Sequence, residues 1–188
     1  MNHTRQYLTE TCAIAARLDA DKVEALVQHL AVLRYRRGRL FIVGLGGSAA
    51  NASHAANDFR KLAAIETYAP TDNVAELTAR ANDEGWPTIF PLDFANSNDA
   101  LLVLSVGGGT ESVSLPLVSA IRTAKQRGMV VYGIVGRDGG YTAQHADLCI
   151  IIPTVKTERV TPHTEGWQSV ILHAIVSHPD LQRSPTKW

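Results

Sequence analysis

Residues 38 to 54 read Gly38-Arg39-Leu40-Phe41-Ile42-Val43-Gly44-Leu45-Gly46-Gly47-Ser48-Ala49-Ala50-Asn51-Ala52-Ser53-His54, and this stretch decides how the chain is interpreted. Its apolar, β-branched run predicts a buried strand, its glycines predict a turn, and the alanine-rich segment predicts a helix. A strand, a glycine-rich turn and a helix in this order direct backbone N–H groups and a helix N-terminus towards an anion. Ser48 adds a hydroxyl at the expected N-cap. The stretch therefore predicts an anion-binding cradle that includes Gly46, Gly47 and Ser48.

The glycine spacing separates this cradle from the common nucleotide-binding loops. The pattern is not Gly-x-Gly-x-x-Gly, and no Gly-Lys-Ser/Thr sequence follows it. The sequence therefore predicts no nucleotide cofactor.

A second glycine-rich turn follows a second apolar run, at Gly107-Gly108-Gly109-Thr110. In an open parallel sheet, ligands collect at the carboxyl ends of the strands, where neighbouring loops diverge. We therefore expect Ser48, Ser105, Thr110 and the amides of both turns to surround one phosphate. The alternative is that the glycines only permit tight turns and the hydroxyls only cap helices.

Apolar runs without polar alternation alternate with helical patterns along the rest of the chain, which is typical of a parallel sheet buried on both faces. The pattern predicts a single three-layer α/β domain over residues 1–188. Within it, residues 1–37 form N-terminal helices for oligomerisation, 38–178 form the α/β core, and 179–188 form a tail. Strands are predicted at 40–43, 100–106, 129–135 and 148–152 with a weaker one at 65–68, and helices at 5–36 in two pieces, 48–62, 74–81, 110–126 and 164–177.

Two helical segments carry side chains that could perform chemistry. His54 and Asp58 are four residues apart and share one helix face, and Glu165 and His173 lie on the last predicted helix. Two imidazoles and two carboxylates could supply an acid and a base, or four ligands for a zinc-type ion. The alternative is a surface His–Asp pair and a histidine buried in the core.

Composition sets broad limits on function. Eighteen basic and eighteen acidic residues cancel, which argues against nucleic acid or an anionic membrane as a partner. No apolar stretch approaches the roughly 20 residues that span a bilayer. The N-terminus does not resemble a signal peptide, so we expect a cytoplasmic protein.

The motifs in this order resemble those of the sugar isomerase (SIS) domain family, and within it the sedoheptulose-7-phosphate (phosphoheptose) isomerases. The resemblance implies a flavodoxin-like parallel sheet and a homotetramer whose active sites are shared between subunits. It also implies interconversion of a ketose phosphate and an aldose phosphate through an enediol. The matching motifs are Gly44-x-Gly-Gly-Ser48, Ala81-Asn82-Asp83, Leu102–Ser105, Gly136-Arg137-Asp138-Gly139-Gly140 and the closing Glu165…His173 helix.

The resemblance also implies roles for individual residues. Asp58 is expected to be the catalytic base and His173 the catalytic acid. Zinc is expected at a site made of His54, Asp58, Glu165 and His173. The sugar phosphate is expected to contact the residues of both turns, together with Asn82 and Asp83; the full set is Gly46, Gly47, Ser48, Asn82, Asp83, Ser105, Gly107, Gly108 and Thr110.

The chain departs from the family pattern inside both turns. The usual second turn is Ser-Thr-Ser-Gly-Asn-Ser, whereas this chain has Ser105-Val106-Gly107-Gly108-Gly109-Thr110, and Leu45 replaces an asparagine in the first. These departures keep two alternatives open beside the isomerase: a non-catalytic regulator that binds a sugar phosphate, and an adaptor that binds other proteins.

Overall fold

Five parallel strands form one sheet at the centre of the structure, a computed structural model that describes residues 2–186. The strand order is β2-β1-β3-β4-β5, and every neighbouring pair is parallel. This is the order of the flavodoxin-like fold, so the predicted fold class is confirmed. The strands are β1 Leu40–Val43, β2 Thr67–Tyr68, β3 Ala100–Ser105, β4 Val130–Val135 and β5 Leu148–Ile151.

Helices cover both faces of the sheet, because successive residues of each strand point to opposite sides. Leu40 and Ile42 pack into a core with helices α2, α3 and α7, whereas Phe41 and Val43 pack into a second core with α5. The result is a three-layer structure. The helices are α1 His3–Arg17, α2 Ala20–Tyr35, α3 Gly47–Ala63, α4 Val74–Asp83, α5 Leu115–Gln126, α6 Gly140–His145 and α7 Val160–Val176.

The start of α5 differs from the predicted one. We expected a helix from Thr110, but α5 begins at Leu115. Gly108 and Gly109 have positive φ values of 71° and 81°, and Ser114 has φ 58°. Because these left-handed residues interrupt the helical path, residues 106–114 form a loop. Helix α6 was not predicted, since its six residues are too few to show an apolar repeat.

The start of α7 also differs. The helix begins at Val160, after a 3₁₀ turn at Thr157–Arg159, instead of near residue 164. Glu165 consequently lies in the second turn of α7.

Residues near both ends of the described chain pack against the core. Ile14 of α1 is fully buried, and so is Leu181 in the predicted tail. The amides of Arg183 and Ser184 both donate to the Leu62 carbonyl at the end of α3. Residues 187 and 188 of the predicted tail lie outside the described residues. Within the described part of the chain, no helix is both long and apolar enough to cross a membrane.

An ion pair between Arg39 and Asp99 joins the amino ends of the neighbouring strands β1 and β3. Asp99 is 2% exposed and accepts hydrogen bonds from the Arg39 amide, Nε and Nη2 at 2.9, 3.1 and 2.7 Å. It also accepts from the Asn96 amide at 2.9 Å. The Arg39 guanidinium and these amides outweigh burial and hold the pKa of the Asp99 carboxyl below its usual value.

Candidate functional site

A cleft of about 970 Å³ lies at the carboxyl ends of β1, β3 and β4. It is at the point where the strand order reverses, which is where open α/β sheets bind ligands. Of the residues predicted to hold a phosphate, Ser48, Ser105, Gly107 and Thr110 line this cleft. The two glycine-rich turns therefore do meet at one site.

The second glycine turn is held in shape by the turn that follows β4. The Gly108 carbonyl accepts from the Thr142 amide at 3.0 Å and from its hydroxyl at 2.7 Å. The Gly109 carbonyl accepts from the Tyr141 amide at 2.8 Å. A Cβ on Gly108 would lie 1.8 Å from the Gly139 carbonyl oxygen, so the backbones touch. The turns after β3 and β4 consequently form one rigid wall of the cleft.

The three hydroxyls predicted to contact phosphate already have partners within the chain. Ser48 Oγ donates to Gln168 Oε1 at 3.0 Å. Ser105 Oγ accepts from the Gly108 amide at 3.0 Å, and Thr110 Oγ1 accepts from the Val113 amide at 2.9 Å. The hydroxyl protons of Ser105 and Thr110 remain able to donate to an anion.

The glycine-rich turn after β1 offers an anion backbone amides, and no side chain of this turn caps α3. The N-cap of α3 is Gly46, with φ 61°, and not Ser48 as expected. The amides of Gly47 and Ser48 are in the first turn of the helix, where they have no acceptor within α3. They are therefore free to bind an anion.

Five of the predicted binding residues do not line the cleft in the single chain. Gly46, Gly47 and Gly108 belong to the turns but are not among the residues that line the cleft; Gly46 is exposed, Gly47 is half-buried and Gly108 is buried. Asn82 and Asp83 are exposed in the last turn of α4, where Asn82 Nδ2 donates to Asp83 Oδ1 at 2.7 Å. Their roles stay predictions.

Three of the four predicted metal ligands come together on the surface of helices α3 and α7. His54 Nε2 lies 3.1 Å from His173 Nε2 and 3.1 Å from Asp58 Oδ2, and His173 Nε2 lies 3.7 Å from that oxygen. We call these residues the His–Asp group. Both imidazoles are about half exposed, and Asp58 is 14% exposed. The structure therefore rejects the interpretation of His173 as a core histidine.

The His–Asp group fits a divalent metal ion. Its ligand atoms all lie within 4.8 Å of one another. A tetrahedral zinc site with bonds of about 2.0–2.1 Å separates neighbouring ligand atoms by about 3.3 Å, close to the observed spacing. Two imidazoles and one carboxylate leave a position open for water or substrate.

Glu165 does not join the His–Asp group within the described chain. Its carboxylate lies against Gly47, where a built Cβ would be 2.5 Å from Glu165 Cδ. Gly47 and His54 are two turns apart on α3, or about 10 Å. The Glu165 carboxylate thus lies at the cradle end of α3, and its role as a fourth ligand stays a prediction.

Hydrogen bonds between α3 and α7 fix the position of these groups. Asn51 Nδ2 donates to the Glu165 carbonyl at 2.9 Å and to Gln168 Oε1 at 3.1 Å. Gln168 is fully buried, and its Oε1 also accepts from Ser48. Since Ser48 belongs to the cradle and α7 carries His173, this network connects the cleft to the His–Asp group.

A second network attaches α1 to the start of α7. Glu10 accepts from Arg159 Nε at 2.8 Å, and His163 Nε2 lies 2.9 Å from Glu10 Oε2. The ring of His163 stacks on Tyr7. The hydrogen bonds from Arg159 and His163 lower the pKa of Glu10 to about 2. Because α7 carries Glu165 and His173, the N-terminal helix contributes to the position of both.

The family of the chain follows from comparison with known proteins. The sequence profile of the SIS domain family matches residues 5–136. The chain belongs to the SIS domain family. A phosphoheptose isomerase of Mycobacterium tuberculosis is 32% identical over 190 residues, which cover 92% of this chain and 91% of that protein. Lincomycin biosynthesis protein LmbN of Streptomyces lincolnensis is 32% identical over 186 residues, which cover 93% of this chain and 68% of that protein.

Solved structures agree with the SIS fold. A phosphoheptose isomerase from Francisella tularensis superposes with a TM-score of 0.82 and 20% identity, covering 94% of this chain and 97% of that one. At this identity the likeness supports the fold.

Gln168 and Arg137 are among the residues of this site that were not predicted from the sequence. Gln168 links Ser48 to α7, and Arg137 lines the cleft. The motif around Arg137 entered the sequence analysis only as part of the resemblance. Its side chain could have been considered because a basic residue inside a glycine-rich turn is a candidate anion ligand.

Proposed function

We propose that this SIS protein is a phosphosugar isomerase, acting on sedoheptulose 7-phosphate to form a heptose 7-phosphate through an enediol intermediate. The observation that carries the proposal is the His–Asp group, which brings together a carboxylate and an imidazole of α3, the helix that follows the cradle, and an imidazole of α7. The cleft supplies backbone amides and hydroxyls suited to the phosphate. The relatives named phosphoheptose isomerase support the same substrate class.

The reaction moves a proton from the carbon beside a carbonyl to the neighbouring carbon. Asp58 is the proposed base that removes this proton, and His173 is the proposed acid that moves a proton between the two oxygens. His54 lies 3.1 Å from both of them, so it can hold both in position. Bound substrate must reach this group from the cleft with its phosphate held at the cradle.

A divalent metal ion, zinc in the first instance, is the proposed cofactor. His54, Asp58 and His173 would hold it, and Glu165, expected as the fourth ligand, would have to approach from the cradle end of α3, about 10 Å away along the helix. When bound, such an ion polarises a carbonyl and stabilises the negative charge of an enediolate. Asp58 would then act more as a ligand than as a base, and zinc titration of an Asp58→Asn variant separates these two roles.

The proposed assembly is a homotetramer with sites between subunits, located in the cytoplasm. Leu8, Val32 and Tyr35 on the two N-terminal helices are 58%, 54% and 89% exposed. Val170, one turn before His173 on α7, is 51% exposed. Exposed apolar side chains on these helices favour a subunit partner. Sedimentation velocity measures the assembly directly, and a monomer at micromolar concentration contradicts it.

The test of function is an isomerase assay with C5 to C7 ketose phosphates, with and without zinc. We expect turnover of sedoheptulose 7-phosphate, and we expect Asp58→Ala and His173→Ala to lower kcat by about 100-fold or more. His29→Ala, at an exposed histidine of α2 that belongs neither to the cleft lining nor to the His–Asp group, is the matched control. Full activity of either site variant contradicts the assignment.

Binding of a sugar phosphate with no turnover of any sugar would favour the regulator. If the chain neither binds nor converts a sugar phosphate but the purified chain captures another protein, the result would favour the adaptor.

A further inference from the structure

Arg137 is the cationic side chain of the cleft. Glu111, Arg137 and Asp138 are the charged residues among those that line it, and Arg137 alone of these is positive. Without Arg137, the cleft would present two carboxylates to an incoming phosphate, which carries about −1.5 to −2 charges near neutral pH. Arg137 is therefore the lining side chain that offsets this negative charge.

The two carboxylates are engaged by other groups, whereas the guanidinium is not. Glu111 pairs with Arg122, and Asp138 Oδ1 accepts from the Gly140 amide at 3.2 Å. Arg137 makes no hydrogen bond or ion pair with any other described residue, and its side chain is exposed. Its five N–H donors are thus available to a ligand.

The Arg137 side chain passes beside the second glycine turn. A Cβ built on Gly107 would lie 3.7 Å from Arg137 Cδ, which is van der Waals contact. Positions 106 to 109 of this turn are valine and three glycines, so they offer no side-chain donor. The Arg137 side chain thus passes the part of the turn that has no side-chain donor.

The backbone of Arg137 is left-handed, with φ 51°. Two of the other non-glycine residues with positive φ lie just beyond helix C-termini, where this conformation is common: Arg37 follows the C-cap of α2, and Ala64 is the C-cap of α3. Arg137 follows a strand instead. Glycine or asparagine would fit this backbone at lower cost, so the arginine is explained by its side chain.

We propose that the Arg137 guanidinium binds the phosphate group of the substrate, in place of the hydroxyl side chains that the second glycine turn lacks. The inference rests on the proposed function, because it assigns a further residue to the same substrate. A planar guanidinium suits this role because it can donate two parallel hydrogen bonds to phosphate oxygens.

The test compares Arg137→Asn and Arg137→Lys with Arg37→Asn. Asparagine tolerates the left-handed backbone, so the fold should be retained. Arg37→Asn removes the same charge from the same backbone conformation at an exposed position that does not line the cleft. For each protein, steady-state kinetics gives kcat and KM for sedoheptulose 7-phosphate, and calorimetry gives Kd for inorganic phosphate.

We expect Arg137→Asn to raise KM and the phosphate Kd by about 10- to 100-fold, the usual effect of losing charged hydrogen bonds, with kcat changed by less than about threefold. For Arg137→Lys, KM and the phosphate Kd should lie between those of the native protein and Arg137→Asn, because lysine keeps the charge but cannot donate two parallel hydrogen bonds. Arg37→Asn should match the native protein. Added salt should weaken phosphate binding more in the native protein than in Arg137→Asn.

The outcomes separate this inference from the proposed function. Isomerase activity with an unchanged KM and phosphate Kd in Arg137→Asn overturns the role of Arg137 and leaves the isomerase intact. Phosphate binding that depends on Arg137, without turnover of any sugar phosphate, supports the role and overturns the isomerase. Failure of the native protein to bind phosphate or sugar phosphate overturns both.

Discussion

Gly47→Ala is the substitution that tests whether the cradle and Glu165 work as one site. Gly47 is the first residue of α3, and its backbone conformation accepts a side chain. The new Cβ would lie 2.5 Å from Glu165 Cδ, whereas ordinary contacts begin near 3.4 Å. The carboxylate must therefore retreat by about 0.9 Å, the difference between these two distances. It is the end of a flexible side chain, so it can move.

The expected result is a loss of activity without a loss of stability. Alanine is favoured over glycine in a helix by up to about 1 kcal/mol, which offsets the cost of moving Glu165. The free energy of unfolding, from urea titration, should stay within about 1 kcal/mol of the native value. A displacement near 1 Å at a catalytic site can cost about 100-fold, so we expect kcat/KM to fall by that order.

Gly166→Ala is the matched control, since it adds the same methyl group next to Glu165 on α7. Its Cβ would meet no atom within 4 Å. This variant should keep the native kcat/KM and gain up to about 1 kcal/mol from helix propensity. Native activity in Gly47→Ala, with the carboxylate shown by crystallography to have moved, would refute a role for Glu165 in the site.

Three further predictions concern groups away from the cleft. Asp99→Ala leaves Arg39 without its partner and should lower the free energy of unfolding by about 3–5 kcal/mol in urea titration, with kcat/KM of the folded protein unchanged. The pKa of Glu10, lowered to about 2 by hydrogen bonds from Arg159 and His163, makes native stability fall as pH drops from about 4.5 towards 2; Glu10→Gln should flatten that part of the profile in urea titrations at each pH. Burial raises the pKa of the Cys149 thiol to about 11, so iodoacetamide at pH 8 should modify it slowly until the protein is unfolded. A loss of unfolding free energy below about 1 kcal/mol in Asp99→Ala would contradict the first prediction. An unaltered pH profile in Glu10→Gln would contradict the second, and rapid labelling of Cys149 in the folded protein would contradict the third.

The positions of the buried strands follow from local sequence because each has an uninterrupted apolar run, whereas the flavodoxin-like order was implied by the family resemblance. Residues 40–43 form β1 as predicted, and all of them are buried. The predicted strand at 65–68 shrinks to Thr67–Tyr68, which has only one neighbour in the sheet. Strands with a long apolar run, including the edge strand β5, can be recognised from local sequence, whereas the two-residue β2 is specified by its pairing with β1, which a single sequence does not reveal.

The start of α5 depends on backbone angles that sequence patterns describe poorly. Ser114 adopts φ 58° just before the helix, and this conformation is uncommon for serine. Pro116 near the helix start was the available signal, because proline is favoured in the first turn of a helix.

The site was predictable where its parts lie on one element and not where they meet across elements. His54 and Asp58 share a face of α3 through their spacing of four residues, and the structure confirms their contact. The approach of His173 depends on how α7 packs against α3, and Glu165 faces the cradle for the same reason. Helical spacing on α7 alone could not determine which end of α3 each would reach.

Because the turns after β3 and β4 are in direct backbone contact, residues 107–109 and residues 139–140 should change together in evolution although they are distant in sequence. Cβ atoms on Gly108 and Gly140 would lie 1.8 and 2.3 Å from the carbonyl oxygens of Gly139 and Gly107, respectively. A larger residue in one turn thus requires a compensating change of path in the other. Among relatives, residues 107–109 and 139–140 should therefore covary, and a change of substrate that alters one turn should alter the other.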